Sequence, residues 1–336
     1  MTIQGNGYRK VGKNNLNAPH HLVDTAITLQ PMQAFSVNVE KPFNCLYTLW
    51  KPSHFFTGLE AHSASCSWRT FRVAPETYTA AKIFLQGEAL KVDVFANHQL
   101  SSEQLSNLQE HIIRSYGLNE AYEVPHQIAD VNDYVKGFFP KLIGTRISCP
   151  ENFFEISIVS LLLQNTNISR TTSMFKKLIE RYGRLVLFDD MALYTFYSPD
   201  DVLAVTEEEL KEYGRLGYRA KYIKNYAEFF SKRTDSELRQ LNKDDLLMLL
   251  ETIKGVGSYT SNIVASSALR DTTAIPFDAW NKKILASRLY GADPTDTDAL
   301  RKRIVSDFGE FSGLIAMYVI ENEYIEKPVV PLLELQ

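Results

Sequence analysis

Histidine is absent from everything after His126: all seven in this 336-residue chain lie at or before that position. That long final stretch therefore has no imidazole to serve as a base or a metal ligand. The three cysteines, Cys45, Cys66 and Cys149, are odd in number, widely spread and confined to the first half. They exclude a disulfide framework and leave nothing further along to hold a four-cysteine iron–sulfur cluster, so the expectation is a reduced, intracellular protein with no metal cofactor. Long apolar runs are also missing: the longest, around Ile158 to Leu163, is too short to span a bilayer. No apolar stretch follows the first charges to make a signal peptide. Charge of one sign is lacking too, since the formal net charge is −4, so any polyanion must be met by a local basic face.

What is present divides into two patterns. Residues 1 to about 20 are polar and read as a mobile lead-in. From there to Asn97 the chain alternates like strands: Phe35, Val37 and Val39 against polar neighbours, and Trp68, Thr70 and Arg72 against Arg69, Phe71 and Val73. Lys82 to Leu85 and Leu90 to Phe95 flank a hairpin at Gln86-Gly87-Glu88, and Pro42, Pro52 and Pro75 mark turns. After Ser101 the period becomes helical, with Leu105, Leu108, Ile112 and Ile113 on one face, and from Tyr134 the chain reads as almost wholly helical. Glu151 to Leu163 is apolar nearly all round and predicts a buried central helix. Thr206 with Glu209, Asn242, and Thr295 with Asp298 are candidate helix caps. The fold class is α+β: an antiparallel β lobe with a flanking helix over residues 1–120, then a helical body over 121–336. At 45 % apolar residues there is ample material for its cores.

The most informative stretch is 246–285. Leu246, Leu249, Leu250 and Ile253 bury one face of a helix; Gly255-Val256-Gly257 reverses the chain; Ser258 is placed to cap the next helix; Asp278 follows Pro276 at the start of a third. Glycines suit a turn that visits positive φ and lies close to a docking partner. Amides and the positive dipole end at a helix start make an anion site, into which a nucleic-acid phosphate fits. Lys254 adds a cation.

IKGVGSYTSNIVA followed by IPFDAW resembles the helix-hairpin-helix, Gly/Pro-rich loop and aspartate signature (HhH-GPD) of base-excision DNA glycosylases, with residues 144–320 carrying the match. The resemblance implies an antiparallel N-terminal lobe packed on two helical subdomains, an active site in the cleft between them, and a monomer acting on double-stranded DNA that carries a damaged base. Asp278 would stabilise the oxocarbenium-like sugar as the base leaves and would orient water; as a plain residue it would simply cap the helix starting at Ala279. Tyr259 stands where bifunctional members have the lysine that attacks C1′, and a phenol forms no imine. The implied enzyme is therefore monofunctional, a hydrolase without lyase activity. Lys282 and Lys283, like Lys254, are more simply phosphate-contacting or surface cations. An alkali cation at the hairpin is the one ion the resemblance allows.

Two further segments, Leu163 to Arg170 and Leu216 to Tyr222, resemble parts of 8-oxoguanine DNA glycosylase. By position, Asn165, Arg170 and Arg219 would read the orphaned cytosine and Tyr218 would wedge into the stack; without DNA they are a polar helix end and a basic turn. The base pocket departs from that family, with Ala316 and Ile320 where an amide and an aromatic are expected. Tyr259, Trp280, Phe277 and Trp68 instead suggest an aromatic pocket for electron-poor alkylpurines, as in 3-methyladenine glycosylases. The alternatives are an 8-oxoguanine enzyme with a preference for opposite cytosine, and a non-catalytic helix-hairpin-helix DNA-binding protein.

Overall fold

The computed structural model describes residues 26–120, 124–150, 152–293 and 296–334. The expected lead-in, and Thr295 as a cap, lie outside the described residues. Ile27–Thr28 (β1), Gln30–Pro31 (β2), Phe35–Asn38 (β3), Glu60–His62 (β4), Cys66–Ala74 (β5), Thr77–Gln86 (β6) and Ala89–Ala96 (β7) supply the N-terminal strands. Their six-stranded antiparallel sheet runs β2-β7-β6-β5-β4, with β3 also paired to β7. The hairpin expected at Gln86-Gly87-Glu88 joins β6 to β7 with Gln86 opposite Ala89. Helix α2 (Ser102–Tyr116) covers one face, where Leu108 and Ile112 bury against Phe71, Ile83 and Val92.

The other face holds a second sheet that alternation alone did not reveal. Leu185–Phe188 (β8) and Met191–Tyr194 (β9) form an antiparallel hairpin, and β1 pairs with β8 in parallel. Here the expectation of an almost wholly helical chain after Tyr134 fails. The turn is Asp189-Asp190, both at positive φ, the geometry of a two-residue hairpin that usually selects Asn-Gly. Asp189 accepts from Trp68 Nε1 at 2.6 Å and pairs with Lys82 at 2.9 Å, tying hairpin to sheet. Trp68 is therefore a core residue between two sheets, packed with Phe95, Val186 and Leu193, and not part of a base pocket.

The helical body has two cores. Phe153–Leu163 (α4) is the buried central helix: nine of its eleven residues are buried, and Asn152 caps it by accepting from the Glu155 amide at 2.8 Å. Each fully buried Leu, Ile or Phe adds about 1.5–3 kcal/mol, which is why this helix has no polar face. Around it pack Ile168–Tyr182 (α5), Arg219–Phe230 (α8), Lys243–Glu251 (α10) and Ser258–Ala268 (α11), with Pro199–Leu203 (α6), Glu207–Gly214 (α7) and Asp235–Arg239 (α9) between them. Thr206 caps α7 by accepting from the Glu209 amide, and Asn242 caps α10 through Asp245. The second core joins Asp133–Leu142 (α3) to Ala279–Tyr290 (α12), Thr297–Phe308 (α13) and Ser312–Tyr324 (α14). Asp296 caps α13.

The N-terminal part contributes to both cores. Tyr47, in the short helix Cys45–Leu49 (α1), and Trp50 pack into the second, whereas Phe55 and Leu59 pack into the first. The intervening Lys51 to His54 thus bridges the two helical cores, where a cavity opens. Among the described residues no helix is long and apolar enough to cross a membrane.

Candidate active site

The hairpin is built from inside outwards. Leu246, Leu250 and Ile253 are buried and Leu249 is half-buried, as the spacing requires. Gly255 has φ +105°, and a Cβ there would lie 2.5 Å from the Tyr222 ring. Its carbonyl accepts from Tyr226 Oη at 3.2 Å, and the neighbouring Lys254 carbonyl accepts from Asn225 at 3.1 Å. Helix α8 is therefore the template on which the turn is pressed. Gly257 differs from the expectation: it is extended (φ −118°), has open space where a Cβ would stand, and is itself the residue capping α11. Ser258 is the first helical residue and makes no cap, so no side chain occupies the amides at the start of α11.

These two glycines should separate on mutation. Gly255→Ala should cost about 2 kcal/mol or more, from the Tyr222 overlap and the left-handed backbone, seen as a lower denaturation midpoint. Gly257→Ala should leave the midpoint nearly unchanged and weaken binding to any phosphate backbone that lies over it. Equal effects on stability would contradict this division.

Asp278 caps α12, its Oδ1 accepting from the Asn281 amide at 2.6 Å. Tyr259 Oη donates to Asp278 Oδ2 at 3.4 Å, across the gap between the two cores. Burial, and then the adjoining carboxylate, push the Tyr259 phenol well above its usual range, so it stays protonated and donates to the carboxylate. Trp280 is 57 % exposed, and its Nε1 donates to Tyr324 Oη at 2.8 Å. Phe277 does not join this group. It packs against the second core, under the Arg301 guanidinium at 4.9 Å.

Tyr259, Asp278, Trp280, Asn281, Ile320 and Tyr324 line a cavity of about 300 Å³, within the range of small-ligand sites. Its far wall comes from the N-terminal part, with Lys51, His54, Glu60 and Arg69. An adjoining space of about 200 Å³ shares Lys51, His54, Asn281 and Ile320 and adds Ala316 and Glu321. None of these N-terminal residues was foreseen. KPSHFF carries no period or motif, and its residues meet the site only because Trp50 and Phe55 anchor in different cores. Tyr324 was more accessible to sequence reasoning, since it lies one helical turn beyond Ile320 on the same face.

The wall is charged and mostly engaged. Arg69 pairs with Glu60 at 3.3 Å and Glu155 at 3.4 Å, and all three side chains are largely buried. Burial alone would raise the Glu60 carboxyl, but the neighbouring His62, 3.9 Å away, and the Arg69 charge outweigh it and hold the group at about 2. Glu321 accepts from the Ser53 amide and hydroxyl at 3.0 and 2.8 Å. Burial lowers the Lys51 ammonium to about 7; it donates to the Arg146 carbonyl at 2.7 Å and to that of Tyr47. Among the described residues no group of three or more His, Cys, Asp or Glu is placed to hold a metal ion.

The remaining candidates lie around the end of α4. Asn165, at φ +48°, Arg170 and Tyr218 are exposed. Gln164 connects this loop to the hairpin, donating to Thr260 Oγ1 at 2.8 Å and to the Gly255 carbonyl at 3.4 Å. Arg219 has another job than the one its position suggested. It is 3 % exposed, and its guanidinium donates to the Leu161 carbonyl at 3.3 Å and to that of Gln164. Through these two bonds it caps the C-terminus of α4. Its guanidinium lies 4.7 Å from the Tyr218 ring, which also meets Tyr222 edge-on, so Tyr218 is braced while remaining exposed. Lys254 and Lys283 are exposed and Lys282 is half-buried.

The hairpin and the capping aspartate both lie within the part of the chain that a family comparison matches. Residues 158–309 are an HhH-GPD domain. The matching family is described as the HhH-GPD superfamily base excision DNA repair protein. The chain is 23% identical over 198 residues to a probable N-glycosylase/DNA lyase of Methanothermobacter thermautotrophicus, a match covering 53% of this chain and 63% of that one. It thus spans less than two thirds of that relative. Among solved structures it resembles a 3-methyladenine DNA-glycosylase from Archaeoglobus fulgidus, with TM-score 0.70 and 17% identity over 86% of this chain and 98% of that chain. It also resembles the 8-oxoguanine glycosylase/lyase of Clostridium acetobutylicum, with TM-score 0.63 and 20% identity over 88% and 99%. At those identities the two structures establish the α+β fold. The HhH-GPD match contains the hairpin, Tyr259 and Asp278 but neither His54 nor Tyr324. The cavity is therefore completed by residues from outside that domain.

Proposed function

We propose that this protein is a monofunctional DNA glycosylase that flips a damaged purine out of duplex DNA and hydrolyses its N-glycosidic bond, with alkylated purines as its substrate class. The observation that carries the reading is the Tyr259–Asp278 contact at the cavity, with a phenol where an attacking amine would stand. In this reading phosphate docks on Gly255 to Ser258, beside Lys254. Tyr218 fills the gap in the stack, and Asn165 and Arg170 meet the orphaned base. The base enters the cavity, and Asp278 stabilises the positive charge growing on the sugar while water attacks C1′. Tyr259 donates to Asp278 and holds the carboxylate in place.

Lys51 is the other amine at the cavity, and its lowered proton affinity would suit a nucleophile. It is nevertheless held by two backbone carbonyls, which supports water as the nucleophile. The substrate class is supported by charge. Asp278, Glu60, Glu155 and Glu321 face two cations, Lys51 and Arg69, around the two spaces. Trp280 and Tyr324 add aromatic surface, so a cationic base is favoured over a neutral one. The reaction needs no resident metal or iron–sulfur cluster; an alkali cation enters only at the hairpin–phosphate contact. The enzyme acts as a monomer.

A panel of duplexes carrying 3-methyladenine, 7-methylguanine, hypoxanthine, uracil or 8-oxoguanine, opposite cytosine or thymine, tests this. Release should be fastest for the two methylated bases. Preferential release of 8-oxoguanine opposite cytosine would overturn the substrate class. DNA binding with release of no base would leave a binding protein.

A further inference from the structure

His54 is in an unusual position. Its side chain is exposed to the cavity space although protein surrounds it. It lines both spaces, so it stands where they meet. The charged side chains nearest it are engaged: Lys51 on the Tyr47 and Arg146 carbonyls, Glu321 on Ser53, and Glu60 and Glu155 on Arg69. Trp280 is spent on Tyr324, and Asp278 on Asn281 and Tyr259. Among the described residues no hydrogen bond or ion pair reaches the His54 ring. Only its backbone amide is engaged, with the Lys51 carbonyl at 3.1 Å.

We propose that His54, supplied by the N-terminal part, is the group that reads the polar edge of the purine held in the cavity. The proposal rests on the glycosylase reading above, and assigns the N-terminal part a role in choosing the base. Neutral imidazole has one N–H donor and one acceptor nitrogen. By choice of tautomer it meets an exocyclic amine or carbonyl, or a ring nitrogen, all of which a purine offers and a bare sugar does not. Burial, and next the Lys51 and His62 charges, lower the imidazole's affinity for a proton against the pull of Glu321 and Glu60. At neutral pH it is therefore uncharged, adds no repulsion against a cationic base, and can accept as well as donate. Its charged neighbours being engaged, a base that pairs with His54 gains a contact that those groups do not supply.

The test compares two duplexes, one carrying a stabilised 2′-fluoro nucleotide of a released base and one carrying a tetrahydrofuran abasic site. His54→Ala should weaken binding of the first by about tenfold, the effect of one hydrogen bond lost in a buried site. Binding of the second should be unchanged, since no base enters the cavity there. His54→Gln, which keeps a donor and an acceptor, should recover part of the loss. Equal weakening on both duplexes would assign His54 a purely structural role and overturn the proposal, as would no weakening on either. Those outcomes leave the glycosylase reading standing if base release still depends on Asp278. If the wild-type protein releases no base from any duplex, both fall.

Discussion

Asp278→Asn should abolish most base release while leaving the protein as stable as before. Asparagine caps a helix about as well as aspartate, so the Asn281 amide keeps its acceptor at the start of α12 and the denaturation midpoint should hardly move. What disappears is the negative charge beneath the sugar. Removing one preorganised electrostatic contact to a transition state typically costs about 10²–10³ in rate, and single-turnover excision should fall by that order. Asp278→Ala should lose the same activity and about 1 kcal/mol of stability as well, because the cap goes with it. Rate and stability thus separate the two jobs of one carboxylate. A rate unchanged in Asp278→Asn would reduce Asp278 to a cap.

The largest effect on folding should come from Arg69→Met. Arg69 sits between Glu60 and Glu155 in the cavity wall, with little of any of the three exposed to water. Removing the guanidinium takes the Arg69 charge away from two buried carboxylates, and breaking a buried ion pair in this way costs about 3–5 kcal/mol. The sign with pH follows from Glu60. Its folded-state affinity for protons is held down at about 2, below that of the unfolded chain at about 4.3. Its contribution is therefore fully present above pH ~4.3 and is lost as pH falls toward 2. Wild type should lose stability across that interval; Arg69→Met should start lower and show a shallower acid dependence there. Urea denaturation at pH 7 and at pH 3 measures both. A variant as stable as wild type at pH 7 would show that the wall does not depend on this pair.

These two residues mark what was and was not legible in the sequence. Asp278, Tyr259 and the glycine turn were readable because they sit in one contiguous stretch, where local spacing fixes geometry. The strands of the first sheet were readable because each buries alternate residues. The second sheet was not, because its four-residue strands are too short for a period and Asp189-Asp190 is not the usual turn pair. Position in sequence also misled where burial decides: Arg219 turned inward to the end of α4, and Phe277 and Trp68 packed into cores. The cavity wall around Lys51, His54 and Arg69 was out of reach, since residues more than two hundred positions from Asp278 meet it only through packing.

The central claim is that water, not an amine of this protein, takes the sugar. The most direct measurement is incubation with a duplex carrying one released base, with and without sodium borohydride. We predict a free base, an abasic strand that breaks only after hot alkali, and no covalent protein–DNA adduct. A borohydride-trapped adduct, or strand cleavage without alkali, would contradict it, and loss of that adduct in Lys51→Met would identify the amine.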